Sequence, residues 1–156
     1  ATSGIQMTLE EAAEIRQKFH AAYPRLSKWQ RKAAEAADRS GADASVRIRV
    51  SGLRRFLPQE LNKLTTRCNT PIQGAGAAVM KRALGMLWSL LRQEGEDVVR
   101  LAGVVHDEII LIVKEGEEDR WAVQLQEIME KAEAQWLGDV PALAEAKTGS
   151  SWDACK

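Results

Sequence analysis

Cysteine, aromatic side chains, excess charge and long apolar runs are all scarce in this chain of 156 residues. Its two cysteines, Cys68 and Cys155, lie far apart and have no CxxC or zinc-type spacing, so neither a disulfide framework nor a zinc site is expected. No apolar run approaches the roughly 20 residues that a membrane-spanning helix needs. The first residues lack a basic-then-apolar signal segment. We therefore expect free thiols, no membrane partner and an intracellular location.

Net charge is also absent, because 22 basic residues balance 22 acidic ones. Overall charge therefore gives no argument for a nucleic-acid partner. The distribution is uneven, however: residues 25–67 are strongly basic, whereas residues 94–133 are strongly acidic. This contrast is compatible with a basic face that binds a polyanion and an acidic face that is exposed to solvent. A run of charged residues is, however, usually only a solvated surface.

The first third of the chain predicts two helices and a small basic hairpin. Thr8 and Glu11 have capping-box spacing, which indicates a helix N-terminus. Pro24 suits the first turn of a second helix, which we expect to end at Ser40 and Gly41. Alternation at Val46, Ile48 and Val50 predicts a strand, and Ser51 and Gly52 then predict a turn into residues 54–57.

The remainder predicts two long helices around a central hairpin. Apolar spacing predicts a helix over residues 73–91 and another over about 118–136. A helix is also expected to begin near Glu60, and Pro71 predicts a kink or a boundary. Residues 98–105 and 109–113 read as paired strands, and residues 142–146 as a last strand. The order ααββαββαβ predicts an α+β fold with helices against an antiparallel sheet.

Polar chemistry is concentrated at the tip of the central hairpin, where Val105, His106, Asp107 and Glu108 separate two apolar strands. A carboxylate pair supported by a rigid hairpin is suited to a divalent metal or a phosphate-processing site. The alternative is an ordinary acidic turn, since aspartate is common in turns.

Separated strings of this chain together resemble the C-terminal part of a family A DNA polymerase, the DNA polymerase I family. Their order and spacing match as well, and the resemblance covers nearly the whole chain. The strings are Asn69-Thr70-Pro71-Ile72-Gln73-Gly74 followed by Lys81-Arg82-Ala83, then Val105-His106-Asp107-Glu108, then Gly149-Ser150-Ser151-Trp152, with Gly52-Leu53-Arg54-Arg55-Phe56-Leu57-Pro58 upstream.

The resemblance implies a palm-type antiparallel sheet, whose catalytic hairpin packs against long helices. Residues of about 1–60 would form distal fingers-like helices and the basic hairpin, and about 61–156 the palm. Asp107 would be the family's motif C aspartate, one of two that bind a pair of Mg²⁺ ions for in-line nucleotidyl transfer. Glu108 would be a secondary carboxylate, and His106 would approach the primer terminus; a histidine satisfied within the sheet is the alternative.

The resemblance also implies contacts with primer-template DNA. Asn69 and Gln73 are four residues apart, so they share a helix face from which amides can reach minor-groove acceptors common to all base pairs. The alternative is helix capping or a local amide network. Candidate phosphate contacts, each of which can equally be a solvated surface cation, are Arg54, Arg55, Lys63, Arg67 and Lys81.

Some family features are missing from the chain. Ala78 replaces a common aspartate, and Thr65 replaces a common arginine. The other metal-binding aspartate and the fingers helix that grips deoxynucleoside triphosphates are not found. We therefore expect no activity without a missing N-terminal polymerase portion. The alternatives are a non-catalytic duplex DNA-binding module and a stable remnant without activity. An exposed sheet edge predicts self-association, and the resemblance implies a cytoplasmic, nucleoid-associated location in a bacterial or virus-infected cell.

Overall fold

A computed structural model of the chain describes residues 7–38, 44–58 and 63–155. The chain divides into two compact units, residues 1–47 with 53–71 and residues 48–52 with 72–156. The elements are α1 (Leu9–Ala22), α2 (Pro24–Asp38), β1 (Ser45–Arg47), β2 (Arg54–Phe56), α3 (Leu64–Glu94), β3 (Val99–Val105), β4 (Glu108–Val113), α4 (Glu118–Leu137) and a 3₁₀ turn (Asp153–Cys155). These helices and antiparallel strand pairs confirm the α+β fold class. In the described ranges, no helix is long and apolar enough to span a bilayer.

The capping box at the start of α1 is confirmed. The backbone N–H of Glu11 donates to Thr8 Oγ1 at 3.2 Å, and the backbone N–H of Thr8 donates to Glu11 Oε2 at 2.8 Å. Both bonds satisfy donors that a helix N-terminus otherwise leaves to water. Tyr23 ends α1, and Pro24 begins α2 as predicted, because proline lacks only an N–H that the first turn does not use.

This cap gives α1 a predictable pH dependence. Hydrogen bonds from Thr8 hold the pKa of Glu11 below its usual value of 4.5. A lowered folded-state pKa means that the ionised carboxylate stabilises the helix above that value, and that this stabilisation is lost as the pH falls through the lowered pKa. We expect the helical NMR shifts of residues 9–12 to decay in acid. Glu11→Gln should remove this titration and Glu10→Gln should retain it; an unchanged acid transition in Glu11→Gln would contradict the assignment.

The basic hairpin forms, but its first strand is shorter than predicted. Strand β1 ends at Arg47 and not at Val50, because the carbonyl of Ile48 accepts a hydrogen bond from the N–H of Gly52 at 2.8 Å. This closes the chain into a turn, in which Gly52 has a φ of 72° that glycine adopts without steric cost. Strands β1 and β2 pair in antiparallel register, with Ser45 opposite Phe56 and Arg47 opposite Arg54.

Helix α3 runs through Pro71 without a boundary, so that alternative of the prediction is wrong. The helix begins at Leu64, seven residues earlier, and continues to Glu94. Proline removes only the N–H that would bond the carbonyl of Arg67, and the surrounding turns remain helical. The predicted helix start near Glu60 and the predicted helix stop at Ser40 and Gly41 lie outside the described residues.

The core of the second unit lies between α3, the β3–β4 hairpin and α4. Its buried side chains come from all four elements, namely Met80, Ala83, Leu87, Leu91, Val99, Ile109, Trp121, Ile128 and Ala132. Arg120 adds a polar link, since its guanidinium pairs with Glu94 at the end of α3 and with Glu117 at 2.8 Å. The hydrogen bond to Glu94 raises the pKa of Arg120.

Trp88 is not part of this core, although the apolar spacing of α3 predicts core packing. Its exposed fraction is 60%, against 2% for Trp121. Successive helix residues differ by about 100° around the axis. Leu87 lies at the centre of the apolar face of α3, and Trp88 therefore lies at the edge of that face.

The predicted last strand at residues 142–146 is wrong. The segment has no regular secondary structure, although its side chains alternate between exposed and half-buried. A strand requires a hydrogen-bonded neighbour, and no described residue pairs with this segment as a strand. The N–H of Ala144 donates instead to the carboxylate of Glu130 at 3.3 Å.

Candidate active site

The carboxylate tip of the β3–β4 hairpin is built on a two-residue loop. Val105 pairs with Glu108, so His106 and Asp107 alone connect the strands. His106 has a φ of 54° and is the non-glycine residue with positive φ among the described residues. Tight hairpins require positive φ in their loops, and glycine or asparagine usually supplies it. A histidine there costs about 1–2 kcal/mol of backbone strain. The role of its imidazole stays a prediction.

The tip is exposed, but its support is buried. Asp107 and Glu108 both reach solvent. Ile109, the next residue, is 8% exposed, and Val99 at the far end of the hairpin is 1% exposed. Both side chains lie in the core with α3 and α4. The carboxylates therefore project from a packed scaffold, which is the arrangement that metal or phosphate chemistry requires.

The donor set at this tip suits a hard divalent cation. Carboxylate oxygens are the ligands that Mg²⁺ prefers, usually one or two of them together with water and substrate phosphates. Asp107 and Glu108 supply two adjacent carboxylates. Within residues 7–38, 44–58 and 63–155, no group of three or more His, Cys, Asp or Glu side chains is placed to hold a metal. Metal binding at the tip therefore stays a prediction.

Helix α3 presents the two predicted amides to solvent. Asn69 and Gln73 are both exposed and lie one helical turn apart. Between them, the hydroxyl of Thr70 is buried and donates to the carbonyl of Thr66 at 2.7 Å. The amides therefore share an accessible face. Their contact with DNA stays a prediction.

The five predicted phosphate contacts fall into different environments. Arg54, Lys63 and Lys81 are exposed. Arg55 is also exposed, and its Nη1 lies 3.5 Å from Thr70 Oγ1 of α3. Arg67 is only 8% exposed, so little of its guanidinium is accessible to a phosphate.

The structure also shows two functional candidates that the sequence patterns missed. Arg47 and Phe56 lie on the same outward face of the β1–β2 hairpin as Arg54, because directly paired residues and residues two apart share a face. Phe56 is 69% exposed. The alternation of Arg47 with Val46 and Ile48 was the available signal, but the register with β2 was needed to interpret it.

A second feature that the sequence patterns missed is a cavity of about 560 Å³ beside β4. Apolar side chains of the hairpin and α4 form one side, including Ile110, Ile112 and Leu125, and the segment 147–152 forms another. Trp121 also lines it, and its indole Nε1 is buried with no hydrogen-bond partner in the described part of the chain. A buried donor without an acceptor costs free energy, and an acceptor that enters the cavity would recover it.

The two cysteines are both free thiols, as predicted. Burial raises the pKa of the Cys68 thiol, although neighbouring Arg67 opposes the shift. Cys68 therefore stays protonated and packs as a small apolar side chain. Cys155 is half-buried beside the cavity.

Comparison with known proteins gives consistent matches along the chain. The model of DNA polymerase family A matches residues 2–154. DNA polymerase I of Pseudomonas aeruginosa is 31% identical, over 96% of this chain and 16% of its own length. DNA polymerase I of Aquifex aeolicus is 28% identical, over 96% of this chain and 25% of its own length. A DNA polymerase of Bacillus phage SP01 is 29% identical, over 96% and 17% respectively.

Proposed function

The chain belongs to DNA polymerase family A, and on that basis we propose that it is the C-terminal palm portion of a template-directed DNA polymerase. The chain spans between 16% and 25% of the length of the relatives described above. The activity of the whole enzyme, Mg²⁺-dependent transfer of deoxynucleotides to a primer 3′ end, is therefore part of the proposal. The observation that carries it is the position of Asp107, exposed at the tip of a hairpin whose base is buried.

In this proposal Asp107 binds Mg²⁺, with Glu108 as an adjacent carboxylate. When bound, the metal supplies electrostatic stabilisation of charge on the reacting phosphoryl oxygens. The chain's own residues hold and position the reactants. The two-residue loop holds the carboxylate of Asp107 in place. His106, whose backbone has a positive φ in the same loop, directs its imidazole toward the primer terminus. Asn69 and Gln73 test base-pair shape from the minor groove without reading sequence.

We further propose that the second metal-binding carboxylate comes from a polymerase segment outside this chain, and that this segment lies in the cavity beside β4. Strand β4 pairs with β3 alone among the described strands, so backbone groups remain to bond another strand. The apolar lining of Ile110, Ile112 and Leu125 suits a strand with alternating apolar side chains. A carbonyl of that strand would satisfy the indole N–H of Trp121.

Complementation tests this function. The chain is mixed with the upstream portion of a relative, such as DNA polymerase I of Pseudomonas aeruginosa, and Mg²⁺-dependent primer extension is measured. We expect extension from the mixture and none from either part alone. Ile112→Arg, in the cavity, should prevent assembly, whereas Val123→Arg, on α4 and 57% exposed, should not. If the upstream portion neither binds the chain nor gains extension activity from it, the proposal is wrong.

A non-catalytic DNA-binding module is the second candidate. The exposed cations Arg54, Lys63 and Lys81 favour it, because phosphate contacts alone give sequence-independent, salt-dependent binding. This module would bind duplex DNA without Mg²⁺ and would fail the complementation assay. Binding with a steep salt dependence together with failed complementation would therefore favour the module over the palm portion.

A further inference from the structure

The outer face of the β1–β2 hairpin combines paired cations with an exposed aromatic ring. Arg47 lies directly opposite Arg54, and Phe56 lies two residues further along β2 on the same face, opposite Ser45. Phe56 is 69% exposed, and both arginines are exposed. These residues, Arg47, Arg54 and Phe56, are called the outer basic face below.

The opposite face of the same hairpin explains why these side chains point outward. Ala44 is 1% exposed and Leu57 is 2% exposed, and the N–H of Leu57 donates to the carbonyl of Ala44 at 2.8 Å. Arg55 lies on this side of the hairpin by register, and although it is exposed, its Nη1 contacts Thr70 Oγ1 of α3 at 3.5 Å. The hairpin is thus anchored by its inner face, so an accessible phenylalanine on the outer face is not required for packing.

Charge on the outer basic face is not compensated within the described chain. Residues 44–58 contain four arginines and no aspartate or glutamate. No described carboxylate forms an ion pair with Arg47 or Arg54. Like charges directly opposite each other on paired strands repel. An anionic ligand relieves this repulsion, and the two guanidinium groups give it two attachment points.

We propose that the outer basic face binds single-stranded nucleic acid, with Arg47 and Arg54 on backbone phosphates and Phe56 stacked on an unpaired base. Alternating cations and exposed aromatic rings are the means by which proteins hold single strands without reading sequence. In duplex DNA the faces of the bases are covered by their neighbours, so Phe56 has no stacking partner there. This inference extends the proposed function to the unpaired template strand but does not depend on the metal site.

The test measures binding of the 156-residue chain to fluorescent oligothymidylate and to a duplex of equal length, as a function of salt. We expect Phe56→Leu to weaken single-strand binding about tenfold and duplex binding by less than twofold. Phe56→Trp should restore it, which a purely structural role would not predict. Phe19→Leu, a change of the same type in α1 at a ring that is 44% exposed, should leave both affinities unchanged.

The arginines are tested through the salt dependence. Arg47→Gln should lower the slope of log affinity against log salt by about 0.7, the value for one phosphate of a single strand. Arg92 is an exposed cation at the end of α3, and Arg92→Gln should lower this slope by less than Arg47→Gln does. Three results would overturn the proposal: unchanged single-strand affinity in Phe56→Leu, equal losses on single strand and duplex, or equally tight binding of polyglutamate. None of these results depends on primer extension, so they are separable from a failure of the palm assignment.

Discussion

Asp107→Asn is expected to lower Mg²⁺-dependent primer extension by the complemented polymerase about a thousandfold or more. Asparagine keeps the size of the side chain but removes the negative charge that holds a divalent cation. Each 1.36 kcal/mol of transition-state stabilisation that is lost lowers the rate about tenfold, so a loss of about 4 kcal/mol corresponds to a thousandfold. Because Asp107 is exposed in a loop, the substitution should not affect folding.

Asp97→Asn is the matched control for this prediction. Asp97 is also exposed and also lies in a turn at one end of β3, but at the end away from the tip. We expect its extension rate to stay within twofold of the unsubstituted chain. Single-turnover extension under saturating primer-template separates the chemical step from DNA binding. Equal rates for Asp107→Asn and the unsubstituted chain would eliminate Asp107 as a metal ligand.

Trp121→Ala is expected to have the largest effect on stability. Its ring is 2% exposed and packs in the core among residues of α3, β3 and β4. Truncation of a buried aromatic side chain costs about 3–5 kcal/mol. We expect the lower end of this range, because the unpaired indole N–H already carries a desolvation cost in the native state. Urea denaturation gives the free energy of unfolding.

Two further substitutions make this prediction specific. Trp121→Phe removes the unpaired donor and keeps an aromatic ring, so its free energy of unfolding should fall by much less. Trp88→Ala removes the same side chain at a position that is 60% exposed and should change the free energy of unfolding by about 0.5 kcal/mol. If Trp88→Ala destabilises as strongly as Trp121→Ala, then Trp88 is covered in solution, which would agree with the self-association that the sequence predicts.

Local patterns were sufficient for the elements whose stabilisation is local. The capping box at Thr8 and Glu11 is confirmed because both its hydrogen bonds form within four residues. The long helices were predicted from apolar stripes that meet in one core. A tight hairpin tip is predicted from the short polar interval between two apolar strands, and the structure shortens the connection to two residues because Glu108 pairs with Val105.

The failures concern interactions with residues far away in the sequence. Residues 142–146 alternate as a strand should, but a strand also needs a neighbour, and none of the described strands supplies one. Pro71 favours a boundary on local grounds, whereas the turns on both sides of it stay helical, so the loss of one backbone hydrogen bond does not end α3. The outward direction of Phe56 depends on its register with β1, which no local pattern gives.

In the candidate site too, some residues can be identified from the sequence, whereas the accessibility of others depends on the tertiary structure. Asp107 and Glu108 are singled out by their place at the tip of the predicted hairpin, and the family resemblance adds the metal role, which stays a prediction. The structure shows both carboxylates exposed on a hairpin with a buried base. Individual phosphate contacts were less predictable, because accessibility depends on tertiary packing. Arg54 and Arg67 look alike in the sequence, yet one is exposed and the other is 8% exposed.

The β-bulge in the hairpin has a consequence for tolerated changes in chain length. Ala102 has no partner, because Leu101 pairs with Leu111 while Gly103 pairs with Ile110. Elsewhere in β3 or β4, inserting or deleting one residue reverses the faces of the strand beyond it, which would turn either the core side chains or the tip carboxylates the wrong way. Deletion of Ala102 alone leaves the partner of every other residue unchanged. Single-residue length variation in this hairpin, among natural relatives or in deletion libraries, should therefore be concentrated at Ala102.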